Sequence, residues 1–256
     1  MIDFRPGWRD HLGLLRSLAI YWRPGRQRAL RELYRPYIRA GDVVFDIGAH
    51  VGDRTIAMAD LGARVVAVEP QPHLHGWLRR LTASRGGTIT LVTSAVGAHC
   101  GEVELAINAL NPTVSSASAA WRERVQRDHP GFRRQRWSRT ITVPVITLAD
   151  LITRHGEPRF CKIDVEGFEA EVLRGLDRPL PALSFEFVAG TLDTAHAAVE
   201  RLEQLGSYEY NMIIGEQRRY AWRTWQSAIH VSAWLDQGAD EIPSGDLYAR
   251  RVQPEA

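Results

Sequence analysis

The chain has 256 residues, 45% hydrophobic and 24% charged, with a formal net charge of +2. That length suits one large α/β domain or two small ones, and the near-neutral balance argues against a dedicated nucleic-acid binder. Cys100 and Cys161 form neither a CxxC pair nor a metal spacing, which predicts reduced thiols in a cytoplasmic protein. No apolar run reaches the roughly 20 residues that a membrane span needs, and Arg9, Asp10, His11 and Arg16 interrupt any signal-peptide core.

Residues 1–40 predict two short helices. Trp8, Leu12, Leu15, Ala19 and Trp22 recur at helical spacing, Pro24 and Gly25 break the pattern, and Leu30, Leu33, Tyr37 and Ile38 give the second helix a face. The segment reads as an N-terminal helical cap on a main domain spanning 41–256. The alternative is an arginine-rich amphipathic helix lying on a membrane. From residue 42 the grammar changes. Apolar strands at 42–47 (DVVFDI), 64–68 (RVVAV) and 89–93 (ITLVT) alternate with helices at 55–61 and 74–81. Continuous apolar runs separated by helices predict a parallel sheet covered on both faces.

Residues 102–147 break that rhythm. A strand at 103–107 is followed by a small-residue stretch, an arginine-rich stretch and a strand at 140–145 (TITVPV). Pro144 cannot donate to a ladder, so this last run reads as an edge strand. A helix at 147–153, a strand at 160–165, a helix at 170–176, a strand at 183–188 and a helix at 194–205 follow. Strands at 208–214 and 247–251 close the chain, with a loop and helix carrying Trp222, Trp225 and Trp234 between them.

The first strand runs into DIGAHVGDRT (46–55), where Gly48 and Gly52 let the backbone approach a ligand closely. Dinucleotide-binding folds use a related turn. Here, however, Asp46 stands at the strand end, where it would repel a pyrophosphate. It suits a ligand with an ammonium group and no phosphate, such as S-adenosylmethionine (SAM). Glu69, closing the second strand, can accept both ribose hydroxyls of SAM or of NAD. The structural alternatives are a turn cap for Asp46 and an exposed strand-end charge for Glu69.

The combination of DIGAHVGDRT (46–55), VEP (68–70), SAVG (94–97) and KIDVEGFEAEVLRG (162–175) resembles the FkbM family of SAM-dependent methyltransferases over residues 41 to about 190. The resemblance implies a class I methyltransferase (Rossmann-like) fold: a seven-stranded, mostly parallel sheet with helices on both faces and the last strand antiparallel. It also implies methyl transfer to a hydroxyl of a bacterial sugar, glycan or secondary metabolite, with S-adenosylhomocysteine (SAH) as the product. Carried over residue by residue, Asp46, Gly48 and Gly52 line the methionine end, with Ala49, His50 and Thr55 in the same turn. Glu69 holds the ribose, Ser94 and Ala95 border the adenine, and Asp164 reaches the cofactor as well as the acceptor. The family often has Asn where this chain has His50, and no acidic residue near Ser94 is present to take the adenine amine.

Lys162 is the only lysine in the chain; every other cation apart from histidine is an arginine. Lysine is a compact point charge and arginine a planar fork. Lys162, Asp164 and Glu166 are spaced two apart, so they share a face if the strand continues that far. Glu186, on the neighbouring strand, faces the same crevice beyond the carboxyl ends of the strands. Methyl transfer to a poorly nucleophilic hydroxyl needs alignment and a base. Asp164 is the first base candidate, then Glu166 or Glu186, with His230 a remote one and Lys162 holding the carboxylates ionised. A structural ion pair is the alternative for Lys162. The carboxylates suit a divalent cation in principle, but no dense ligand set is visible and no metal is assigned.

Residues 121–139 carry seven arginines interleaved with Trp121, Phe132 and Trp137. Residues 108–140 therefore read as an acceptor lid, or as a solvated helix face or loop. The residues and the resemblance together point to a SAM-dependent O-methyltransferase with a small-molecule or glycan acceptor. The alternatives are an RNA methyltransferase, which lacks a recognisable RNA-binding module, and a non-catalytic SAM-binding protein.

Overall fold

Two helices open the chain, α1 (Trp8–Tyr21) and α2 (Arg26–Tyr34), where the two apolar stripes predict them. The structure, a computed structural model, describes residues 5–84 and 88–252, so the outer ends of the two expected segments, 1–4 and 253–256, lie outside the described residues. Strand and helix then alternate: β1 (Val43–Ile47), α3 (Asp53–Ala59), β2 (Arg64–Val68), α4 (Pro72–Ala83) and β3 (Ile89–Val92). A detour follows through β4 (Ala95–Val96), β5 (Gly101–Ile107), α5 (Ala119–Asp128) and β6 (Arg139–Ile146). The alternation resumes with α6 (Leu148–His155), β7 (Phe160–Ile163), α7 (Glu169–Arg174), β8 (Ala182–Val188), α8 (Leu192–Leu205) and β9 (Tyr208–Ile214). The last elements are β10 (Gln226–Ser227), α9 (Ala228–Asp236) and β11 (Ser244–Arg251).

The main sheet has eight strands in the order β10-β9-β11-β8-β7-β1-β2-β3, not the expected seven. The five strands from β3 to β8 run parallel, and β11 inserts antiparallel between β8 and β9. The extra strand is the two-residue β10, which pairs antiparallel with β9 at the sheet's edge. It is too short to leave a period-two pattern in the sequence.

A second correction concerns residues 140–145. The run TITVPV is not an edge: β6 is the middle strand of a separate sheet, β4-β6-β5. The proline is tolerated because β4 is only two residues long and pairs with Val145 and Ile146, leaving Pro144 without a ladder partner on that side. A third correction concerns β7, which ends at Ile163 and does not extend to Val165.

Alternate residues of each core strand face opposite layers. Phe45, Ile163 and Phe185 pack with Leu151 of α6 and Ala198 and Leu202 of α8. Val44, Ala67 and Phe160 pack on the other face with Leu30 and Tyr34 of α2 and Ile56 of α3. The N-terminal segment is thus half of a covering layer. Tyr34 and Phe160 are fully buried, each stabilising by about 2–3 kcal/mol relative to exposure. No helix among the described residues is long and apolar enough to cross a membrane.

Candidate active site

Strand register brings the charged residues together. Asp46 on β1 lies opposite Ala67 on β2 and Lys162 on β7. Ile163 lies opposite Phe185 on β8, so the next residues along these strands, Asp164 and Glu186, emerge side by side at the carboxyl edge. That edge is where open α/β sheets bind ligands.

The chain after β1 turns sharply. Gly48 has φ +83°, and a Cβ on it would lie 1.9 Å from the Asp164 carbonyl oxygen. Only glycine allows the first turn to pass this close to the turn after β7. His50 also takes positive φ, +49°, and its backbone N–H donates to Glu69 Oε2 at 2.8 Å. The Gln71 N–H donates to Glu69 Oε1, also at 2.8 Å. Burial raises Glu69 to about 7, against the pull of those two N–H groups. Burial lowers His50 to about 4, so its ring is neutral at physiological pH.

The turn after β7 is held from several sides. Glu166 and Gly167 have φ of +54° and +87°, and this ends the strand before Asp164. Glu169 Oε1 accepts the Val165 and Gly167 N–H groups at 3.1 and 3.2 Å. Ser116 Oγ donates to the Glu166 carbonyl at 2.6 Å. Trp121 covers Gly167 so closely that a Cβ there would sit 2.1 Å from the indole. The shared face expected of a straight strand is therefore supplied by a turn: carboxylate oxygens of Asp164, Glu166 and Glu186 lie within 4.8 Å of one another.

Lys162, 3% exposed, donates to Asp164 Oδ2 at 2.9 Å and stands 3.8 Å from Asp46 Oδ1. Burial opposes its charge, but Asp164 and Asp46 raise it above the ordinary lysine value. Asp164 also feels burial, yet Lys162 and Arg54 hold it below the ordinary carboxylate range. Glu166 and Glu186 go the other way. Burial and repulsion from their carboxylate neighbours push both well above that range. Environments that separate like groups this way are typical of acid–base sites.

These side chains line a cavity of about 270 Å³. Of the residues expected from sequence, Asp46, Gly48, Ala49, His50 and Glu69 form one wall, and Ser94 and Ala95 another. Lys162, Asp164, Glu166 and Glu186 complete it. Thr55 and Gly52 stand behind the wall: Thr55 Oγ1 donates to Asp46 Oδ2 at 2.5 Å, and Gly52 abuts Leu78 and Leu81 of α4. His230 is exposed on α9 with its ring against Trp222, away from the cavity. Residues 108–140 reach the cavity through Thr113, Ser115 and Ala117, whereas none of the seven arginines lines it. Arg124 pairs with Asp193 and Arg139 with Asp10.

Sequence reasoning missed four contributors. Tyr21 of α1 lines the cavity and meets His50 edge-on, so the first N-terminal helix is part of the wall. Arg54 sits inside the glycine-turn motif and lies 3.5 Å from Glu216 and 3.9 Å from Asp246. Asp246, opposite Glu186 on β11, lines the cavity too. Arg54 stood in plain view; Tyr21, Glu216 and Asp246 carry no local signal.

The donor set fits SAM on two counts. Asp46 lines the cavity, and its Oδ1, buried with no hydrogen-bond partner among the described residues, would accept from an ammonium group. Each Glu69 oxygen takes one backbone N–H, leaving each a lone pair for a ribose hydroxyl.

Comparison with known proteins finds methyltransferases. The hexuronic acid methyltransferase AglP of Haloferax volcanii is 23% identical over 180 residues, 68% of this chain and 67% of that protein. Among solved structures, a putative O-methyltransferase from Klebsiella pneumoniae aligns with TM-score 0.46 and 10% identity, covering 98% of this chain and 93% of that one. Aeropyrum pernix fibrillarin with natively bound SAM aligns with TM-score 0.46 and 12% identity, covering 87% and 76%. Residues 46–238, from the first site carboxylate to just past α9, match the methyltransferase FkbM domain, and the chain belongs to that methyltransferase family.

Proposed function

We propose that this methyltransferase uses SAM and methylates a hydroxyl group of a sugar, in a glycan or glycosylated metabolite. The observation that carries the reading is the set of three carboxylates beside Lys162 at the carboxyl edge of the sheet. Bound SAM supplies a methyl group on a sulfonium for in-line transfer to the acceptor oxygen. Asp46 and Glu69 hold the ammonium and ribose ends, fixing the direction of the sulfonium. Asp164, kept ionised by Lys162 and Arg54, takes the proton that the acceptor hydroxyl loses as its oxygen gains the methyl. Glu166 and Glu186 position the acceptor through hydrogen bonds. Alignment and base together account for the rate, the base being worth about 10²–10⁴-fold.

A sugar acceptor is supported by the distant relative named for a hexuronic acid. It is supported also by the seven arginines of 121–139, the cluster suited to an RNA acceptor, having no place in the cavity lining. The test is transfer of labelled methyl from SAM to a panel of oligosaccharides containing hexuronic acids, neutral oligosaccharides and transfer RNA. Labelling of the sugars and not the RNA is expected. Asp164→Asn, Glu166→Gln and Glu186→Gln combined should abolish it, and transfer surviving in that triple variant would defeat the assignment of the base.

A further inference from the structure

We propose that Asp164, Glu166 and Glu186 form a binding site for one hard divalent cation of the Mg²⁺ or Mn²⁺ class. The inference rests on the methyltransferase reading of the cavity and adds to it a ligand that the reading does not require.

Geometry comes first. One oxygen from each residue lies within 4.8 Å of the other two. Oxygens around Mg²⁺ at about 2.1 Å are about 3 Å apart when adjacent and about 4 Å when opposite, and around Ca²⁺ they are about 5 Å apart when opposite. The three oxygens therefore converge on one ion's shell with small side-chain adjustments. All are carboxylate oxygens, the donor type of Mg²⁺, Mn²⁺ and Ca²⁺ and not of softer metals. They come from two adjoining parts of the sheet edge: the turn after β7, pinned by Ser116 and Glu169, and the body of β8.

Charge supplies the second argument. Glu166 is 5% exposed, it lines the cavity, and among the described residues its carboxylate has no hydrogen bond or ion pair. Glu186 Oε2 is likewise shielded from solvent and without a partner. The neighbouring cations are committed elsewhere. Lys162 is shared between Asp164 and Asp46, and Arg54 lies between Glu216 and Asp246. Unpaired carboxylates out of water are expensive, and a single divalent ion placed among them offsets two charges. Lys162 hydrogen-bonds to one Asp164 oxygen, Oδ2, and the carboxylate keeps further lone pairs for an ion and for a proton. All three residues line the cavity, from which water and acceptor hydroxyls would complete the shell. Asp46, on β1, and Glu69, just after β2, are not among the three ligands and are left to the cofactor.

The test uses the full chain, treated with chelator and dialysed, then titrated with Mn²⁺ while free Mn²⁺ is read by electron paramagnetic resonance. One Mn²⁺ per chain, displaced by Mg²⁺, is expected. Glu166→Gln and Glu186→Gln should each weaken it by about tenfold or more, with thermal melting confirming that each variant folds. No binding up to roughly 1 mM Mn²⁺ would overturn the proposal, because the carboxylates would then be relieved by protonation. Binding indifferent to both substitutions would overturn it as well. The wild-type titration decides the first point even if one variant fails to fold. Calorimetric SAM binding, run in parallel, separates the two readings. SAM binding without Mn²⁺ binding rejects only the cation. Mn²⁺ binding without SAM binding upholds the cation and rejects the cofactor assignment.

Discussion

Lys162 Nζ stands 2.9 Å from Asp164 Oδ2 and 3.8 Å from Asp46 Oδ1, so the chain's only lysine bridges the two halves of the cavity. Asp46 closes the wall formed by the glycine turn, and Asp164 begins the carboxylate set. That buried point charge, with Arg54, holds Asp164 below the ordinary carboxylate range, and it opposes the burial that raises Asp46.

Replacing that charge is therefore costly. Lys162→Met leaves two largely buried carboxylates without their shared counter-ion, and removing one partner of a buried pair destabilises by about 3–5 kcal/mol. Lys162→Arg retains the charge but forces a planar fork into a site that is 3% exposed. Urea denaturation should show both variants destabilised, the methionine more. Full stability and activity in the arginine variant would show that the site needs charge alone.

Cofactor binding should move a proton. Glu69, raised to about 7 by burial, is partly protonated near neutral pH, and ribose hydroxyls donating to it favour its ionised form. SAM binding at pH 7 should release a fraction of a proton, measured by calorimetry in buffers of different ionisation enthalpy. Glu69→Gln should lose that dependence, and an unchanged buffer dependence would remove Glu69 from the ribose site.

Glu169 makes stability fall with rising pH. Its folded value, raised to about 7 mainly by burial, exceeds the ordinary 4.5. Between those values the native state binds more protons than the unfolded chain, so stability declines as pH rises through the window and levels off above it. The contribution is on the order of 3 kcal/mol. Glu169→Gln keeps an acceptor for the Val165 and Gly167 N–H groups. Denaturation at pH 5 and pH 8 should show a smaller pH difference in this variant than in wild type.

Ser116 ties the segment 108–140 to the catalytic turn. Its hydroxyl is buried and donates to the Glu166 carbonyl. Ser116→Ala leaves that carbonyl short of a partner, at about 1–3 kcal/mol, and frees the turn bearing Glu166. The turnover number should fall while SAM affinity, set by Asp46 on β1 and Glu69 after β2, stays within about twofold. Parallel losses in both would indicate general unfolding and not loss of positioning.

The parallel core was legible because each strand is a short apolar run closed by a turn residue, and β2 and β9 match their expected bounds. The carboxylates of KIDVEG were legible as a group, but not by the right route. Period-two spacing suggested a strand face; positive φ at Glu166 and Gly167 ends the strand and supplies the convergence. Glu186, read from sequence as facing the same crevice, joins the set through the β7–β8 register. Tyr21 and Asp246 reach the cavity from opposite ends of the chain, and long-range placement of this kind leaves no mark on local periodicity. The central β6 was misread because Pro144 signals an edge only where a full neighbouring strand needs its N–H.

The central claim is that Asp46 and Glu69 hold SAM at the carboxyl edge of the sheet, beside the acidic set. It is tested most directly by calorimetric titration of the purified chain with SAM, SAH and NAD, repeated on Glu69→Ala and Asp46→Asn. The account predicts one SAM or SAH per chain, no heat with NAD, and marked weakening in both variants. NAD binding, or SAM binding indifferent to both substitutions, would contradict it.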